Sequence, residues 1–309
     1  MSVWQDWIGR SEQRTDVVTA GLVARLCATI DSDGMGDVAP QGIHWCLCLP
    51  DAPTAQLGED GHPRRAGLPV GKANNERRDV ANALLPPIDL PRSPASGKGQ
   101  KETTRRMWAS SKVAFHAPIA AGAAIHRTST ITDIAEKTGG SGRLVFVTLA
   151  HETRADGALA VREEQVLVYR GASSASAPIE PTPTPPLKGR GLSEDWPHAR
   201  SVTPGEAMLM RYSALTFNAH RIHYDKPYAT GVEGYAGLVV HGPLTATLLL
   251  DFAAQIIGHN RLISFDFRGV APLFCGSAMT LVARREGGVM TLAALGPSGA
   301  AAMEARAAF

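Results

Sequence analysis

The stretch Tyr212-Ser213-Ala214-Leu215-Thr216-Phe217-Asn218-Ala219-His220-Arg221-Ile222-His223-Tyr224-Asp225 is followed closely by Gly237-Leu238-Val239-Val240-His241-Gly242-Pro243-Leu244. Asn218 and His223 stand five apart in a segment that otherwise reads apolar. An abrupt Gly242-Pro243 start then opens a helical pattern. Leu244, Leu248, Phe252 and Ile256 share one stripe, with Leu249 and Ala253 beside it. Pro243 suits the first turn of such a helix, and Gly258 suits the residue after its last. The sequence therefore predicts a helix over 242–257 with a polar loop at its positive end.

Working outward, strands are predicted over 262–268, 277–284, 289–295 and 301–307, with Gly287-Gly288 and Pro297-Ser298-Gly299 as turns. A short helix over 204–216 leads into the opening motif. Upstream, residues 171–190 are small and hold five prolines. Such a segment buries no core and favours an extended chain. It divides the chain into domains 1–170 and 191–309. The first opens with a helix, capped by Thr15 or Asp16, in which Val17, Val18, Leu22, Leu26 and Ile30 recur at helical spacing. Strands are expected over 43–49, 112–116, 124–134, 144–152 and 159–169. The polar stretches 71–83 and 93–104 read as loops. Helix and mostly antiparallel strands in each half indicate an α+β class built from two copies of one unit. The halves share no obvious repeat, so this rests on element order.

Bulk properties bound the function. At 309 residues the chain accommodates two domains, and its 44% apolar content is that of a globular protein. The net charge of +2 gives no sign of nucleic-acid binding. No apolar run is long enough to span a membrane, because 238–257 is interrupted by His241, Gly242, Pro243 and Asp251. The N-terminal residues lack the pattern of a signal peptide. The pairs Arg64-Arg65, Arg77-Arg78 and Arg105-Arg106 could meet phosphates, but solvated loop charge is the simpler reading. Of the four cysteines, Cys46 and Cys48 would share one face of a strand, and no zinc ligands accompany them. Packed, reduced thiols and a cytoplasmic setting are expected.

The central motif carries the chemistry. A base that is neutral near pH 7 points to histidine, and His220 and His223 are both available. The helix starting at Gly242 presents free N–H groups at its positive end. A thioester carbonyl aimed at Gly242 N–H would be polarised, and the enolate-like charge of hydration or dehydration stabilised there. Gly242 lacks a Cβ, which permits close approach.

These residues resemble the MaoC-like, R-specific enoyl-thioester hydratases of the hotdog fold. That family carries an aromatic-Ser pair, then Gly-Asp-x-Asn-Pro-x-His, then Ala-His-Gly at the start of its central helix. Tyr212-Ser213, His223 and His241-Gly242 match these parts. The double-hotdog branch of mesaconyl-C4-CoA (3-methylfumaryl-CoA) hydratases is nearer. It has segments similar to 213–225, and to Arg105-Arg106-Met107-Trp108-Ala109 and Ser141-Gly142-x-Leu144-Val145-Phe146-Val147-Thr148 in the first domain. Asn218 stands where the general motif has Asp, and His220 where it has Asn. An amide cannot act as a base, but it can orient a water.

The resemblance implies two fused hotdog domains, each a central helix wrapped by an antiparallel sheet, with the thioester in a tunnel at their junction. It implies reversible hydration of a short dicarboxylic enoyl-CoA, with mesaconyl-C4-CoA giving citramalyl-CoA. His223, Asn218 and Gly242 would be catalytic. Ser213, His220 and His241 would contact substrate, and Arg221 and Arg106 would offer a cation to its free carboxylate, with Arg268 a weaker candidate. No metal or redox cofactor is expected, and coenzyme A enters only with the substrate. A homodimer or higher homo-oligomer is expected. The alternatives are a 3-hydroxyacyl-thioester dehydratase of fatty-acyl or polyketide metabolism, and a catalytically silent acyl-CoA-binding subunit. A thioesterase fits less well, because Asp251, the acid on the 242–257 helix, lies well inside it.

Overall fold

The structure, a computed structural model, describes residues 4–34, 36–63, 84–86, 88, 105–139, 142–171 and 196–309. The loops predicted over 71–83 and 93–104, nearly all of the 171–190 linker, Arg64-Arg65 and Arg77-Arg78 lie outside these residues.

The first half contains β1 (Ser11–Val17), α1 (Ala20–Ile30), β2 (Arg105–Phe115), β3 (Ala124–Gly139), β4 (Gly142–Ala155) and β5 (Ala158–Arg170). The second contains β6 (His198–Val202), α2 (Glu206–Leu215), α3 (Lys226–Gly231), α4 (Gly242–Ile257), β7 (Ser264–Gly269), β8 (Met279–Glu286), β9 (Val289–Leu295) and β10 (Ala301–Ala308). All ten strands form one sheet in the order β1-β3-β4-β5-β2-β7-β10-β9-β8-β6. From each edge inward the order is first, third, fourth, fifth, second strand of that half. The two halves therefore share one topology and meet through their second strands. This seam is antiparallel, with Ser110 opposite Arg268 and Ala114 opposite Ser264. Bulges at Trp108/Ser110, Ile131/Asp133 and Thr153/Arg154 bend the long strands of the first half.

The α4 helix is apolar nearly all round, as a fully enclosed helix must be. Leu244, Leu248, Leu249, Leu250 and Phe252 are buried, each contributing roughly 1.5–3 kcal/mol. Gly258, with φ of 93°, terminates it. Between α1 and β2, where the second half places α4, the described residues of the first half form only short 3-10 turns at Ile43–Cys46 and Thr54–Gln56.

Three expectations need correction. Residues 43–49 do not form a strand. Residues 42–48 are all buried, so no face alternates with solvent, and Gly42 and Cys48 take positive φ values of 101° and 52°. The first helix begins later than expected. Thr19 caps it by accepting from Leu22 N, whereas Thr15 and Asp16 belong to β1. Arg105 is no phosphate ligand: it is buried at the start of β2 and ion-paired with buried Glu233 of the second half. All four cysteines are free thiols. No described helix is long and apolar enough to cross a membrane.

Candidate active site

The α2 helix ends at Leu215, where Phe217 adopts a left-handed turn (φ 47°). The chain then doubles back, and Asn218 N donates to Ser213 O over 2.9 Å. Asn218 Oδ1 accepts from His220 N at 3.0 Å, which fixes the bend leading into the 3-10 turn Arg221–His223. Val239 N donates to Ile222 O at 2.9 Å, tying this turn to the strand-like segment before α4.

His223 is 8% exposed, and its Nδ1 lies 2.7 Å from Val239 O. A carbonyl only accepts, so Nδ1 carries the proton and Nε2 keeps its lone pair. The His241 ring stacks on the His223 ring with centroids 3.6 Å apart and planes 19° apart. His241 Nε2 lies 2.8 Å from Ser213 Oγ on α2. Burial pushes the His223 imidazole down to about 4, against the hydrogen bond it donates to Val239 O. Burial likewise drives His241 well below its ordinary value, with the charge of His223 adding to the effect. His220 is lowered by burial and by the charges of His62, His223 and Arg106. All three rings are therefore neutral at pH 7.

These rings lie beside the start of α4. Gly242 is its first helical residue and Pro243, the next, has no N–H. Gly242 N–H has no intrahelical acceptor, and a Cβ at this position would meet no atom within 4 Å. The Cα of Gly242 therefore faces open space at the positive end of α4.

Arg221 is engaged elsewhere. Its Nε and Nη2 donate to Asp225 Oδ2 at 2.9 and 2.6 Å, and its Nη1 donates to Glu59 O at 3.0 Å. Its guanidinium also lies 4.1 Å from the centroid of the Tyr228 ring. Asp225 in turn caps α3 through Tyr228 N. Arg268 forms an exposed pair with Glu304 on β10. Arg106, on β2, is near enough for its charge to act on His220 and Asp60. A cavity of about 110 Å³ lined by Gln41, His44, Phe115, His116 and Asn260 lies off this cluster, and none of the motif residues lines it.

The turn Glu59-Asp60-Gly61-His62 of the first half belongs to the same corner, although its sequence carries no sign of it. It reaches the 218–223 loop: Arg221 N donates to Asp60 O at 2.9 Å. His62 Nδ1 lies 3.0 Å from Asp60 Oδ2, and the His62 and His220 ring centroids are 4.0 Å apart. Burial opposes charge on Asp60, but the His62 hydrogen bond and the charges of His62 and Arg106 outweigh it and hold the carboxyl below its usual range. Nothing in Gly-Glu-Asp-Gly-His-Pro signals more than a turn.

Comparison with known proteins bears on the family and the fold. The chain is 37% identical over 306 residues to the mesaconyl-C(4)-CoA hydratase of Chloroflexus aurantiacus, covering 98% of this chain and 96% of that one. The crystal structure of HtdX from Mycobacterium tuberculosis superposes with a TM-score of 0.63 at 17% identity, over 96% of this chain and 99% of that one. A second M. tuberculosis protein, described as having a double hotdog fold, gives a TM-score of 0.52 at 12% identity, over 98% and 96% of the two chains. These likenesses make the protein a double-hotdog hydro-lyase of acyl thioesters. The chain belongs to the hydroxyacyl-thioester dehydratase type 2 family, whose pattern matches residues 89–275.

Proposed function

We propose that this enoyl-CoA hydratase acts on mesaconyl-C4-CoA and forms citramalyl-CoA. The thioester oxygen accepts from Gly242 N–H at the positive end of α4. With Oδ1 turned onto His220 N, Asn218 offers its Nδ2 hydrogens to the oxygen of the attacking water. His223 Nε2 takes a proton from that water as the new C–O bond forms at the β-carbon, and the electron pair of the double bond moves to the thioester enolate. His223 then returns the proton to the α-carbon, which restores the carbonyl and the neutral imidazole. Water is added with no other reagent, and coenzyme A enters as part of the substrate. Ser213 holds His241, and His241 holds the His223 ring by stacking. Arg221 clamps the loop through Asp225 and Glu59 rather than meeting substrate, which leaves Arg106 to meet the carboxylate.

The carrying observation is the His223 tautomer, set by Val239 O at 2.7 Å, which leaves Nε2 as the base. The near-full-length likeness to a mesaconyl-C(4)-CoA hydratase supports the choice of substrate. We also infer that 1–170 and 191–309 are the two units and 171–190 the link; the matched strand order supports this division. The test is to incubate purified protein separately with mesaconyl-C4-CoA and crotonyl-CoA, following loss of enoyl-thioester absorbance and product mass. Fast hydration of the first alone is expected. Equal or faster hydration of crotonyl-CoA would move the enzyme to fatty-acyl chains, and silence on both would overturn the reading.

A further inference from the structure

In a mesaconyl C4 thioester, the free carboxylate is bonded to the β-carbon, the atom that receives the hydroxyl. Its binding group must therefore lie next to the catalytic histidine, not at a distant end of the pocket. The His220 ring stands edge-on to His223 with centroids 5.4 Å apart, and His62 follows at 4.0 Å from His220. The ring-nitrogen and carboxylate atoms of Asp60, His62 and His220 all lie within 4.8 Å of one another. Arg106 adds a fixed positive charge to this corner. Both oxygens of Asp60 are turned onto His62: Oδ1 accepts from its backbone N at 3.0 Å, and Oδ2 faces its Nδ1 at 3.0 Å. The carboxylate thus fixes one ring in place instead of facing the site. The turn itself is fastened, with Gly58 N donating to His62 O at 2.7 Å and Gly61 N to Gly58 O at 3.0 Å.

We propose that His62, oriented by Asp60, joins Arg106 and His220 in a subsite for a carboxylate on the substrate β-carbon. The first half would thereby supply the groups that select a dicarboxylic acyl-CoA, while the second half supplies the hydration machinery. The proposal rests on the hydratase reading for its geometry, but it can be tested without turnover.

Succinyl-CoA and butyryl-CoA are unreactive probes that differ in this one feature: a carboxylate or a methyl on the β-carbon. Dissociation constants for both are measured by calorimetry on the full chain and on His62→Gln, Arg106→Gln and Asp60→Asn, with thermal melting as the folding control. The native chain is expected to bind succinyl-CoA about tenfold or more tightly than butyryl-CoA, the usual size of a hydrogen bond to a charged group. His62→Gln and Arg106→Gln should each remove most of that preference and leave butyryl-CoA binding unchanged. Asp60→Asn, which leaves the His62 ring unoriented, should remove part of it. Equal affinity of the native chain for the two probes would overturn the subsite, as would variants that weaken both probes alike. A corner that took up zinc, lost on the same substitutions, and showed no succinyl preference would overturn it too. Inactivity on both enoyl-CoAs would sink the hydratase reading separately, and the binding comparison would still decide the subsite.

Discussion

Gly61→Ala tests how the two halves are joined at the site. Gly61 has a φ of +85°, and a Cβ built there would overlap the carbonyl oxygen of Ala219 and lie 2.7 Å from its carbon. Non-bonded carbons settle at about 3.5–4.0 Å, so the 57–63 turn or the 218–223 loop must retreat by about 1 Å. Retreat breaks the bonds from Arg221 N to Asp60 O and from Arg221 Nη1 to Glu59 O. Each such bond contributes about 1 kcal/mol, and left-handed backbone on a residue with a Cβ costs roughly another 1 kcal/mol. The expected destabilisation is about 3 kcal/mol, read as a lower urea midpoint with unchanged slope. His220 and His223 move with the loop, and a displacement of that size lowers kcat roughly 100-fold. A variant with stability within about 0.5 kcal/mol of the parent and undiminished turnover would show that the turn does not brace the 218–223 loop.

His223→Gln should fold normally and lose about 10²- to 10⁴-fold in turnover, the usual range for a general base; retained activity measured in the enoyl-thioester assay would remove His223 from the mechanism. Glu233→Gln leaves Arg105 buried and unpaired, so a loss of about 3–5 kcal/mol is expected by urea unfolding. Acid should weaken the fold in a defined window. His223 and His151 are held at about 4 by burial, below the 6.5 of a free imidazole. The unfolded chain therefore binds more protons than the folded one as pH falls from 6.5 towards 4. Each such histidine removes up to about 1.4 kcal/mol of stability per pH unit. Urea midpoints between neutrality and pH 5 should fall steadily, and His223→Gln should flatten that slope by one proton's worth; a pH-independent midpoint would contradict the burial assignment.

Apolar runs bounded by turn residues were legible in the sequence, and 289–295, between Gly287-Gly288 and Pro297-Ser298-Gly299, coincides with β9. The edge strands β1 and β6 were not. Their residues, Ser-Glu-Gln-Arg-Thr-Asp-Val and His-Ala-Arg-Ser-Val, never become fully buried, so hydrophobic periodicity had nothing to register. Residues 43–49 misled for the opposite reason: Ile, Trp, Cys and Leu look like a strand, but enclosure on all sides permits a 3-10 turn. The candidate group was readable because Ser213, Asn218, His220, His223, His241 and Gly242 lie in one short stretch and each residue type has a chemical use there. Asp60 and His62 belong to the same corner but are brought in by tertiary packing from the other half. A turn sequence gives no hint of what it will touch.

The seam between β2 and β7 governs how a substrate can get in. Domains that meet through side chains can rock apart to admit a ligand, but these halves are joined by a main-chain ladder from Ser110–Arg268 to Ala114–Ser264. Parting them would sever that ladder. Admission of a long acyl-CoA is therefore expected to fall to loop movement, with the two halves held together as one plate. Hydrogen exchange should record this directly, with seam amides equally slow with and without ligand and any ligand-dependent protection confined to the 57–63 and 216–241 segments.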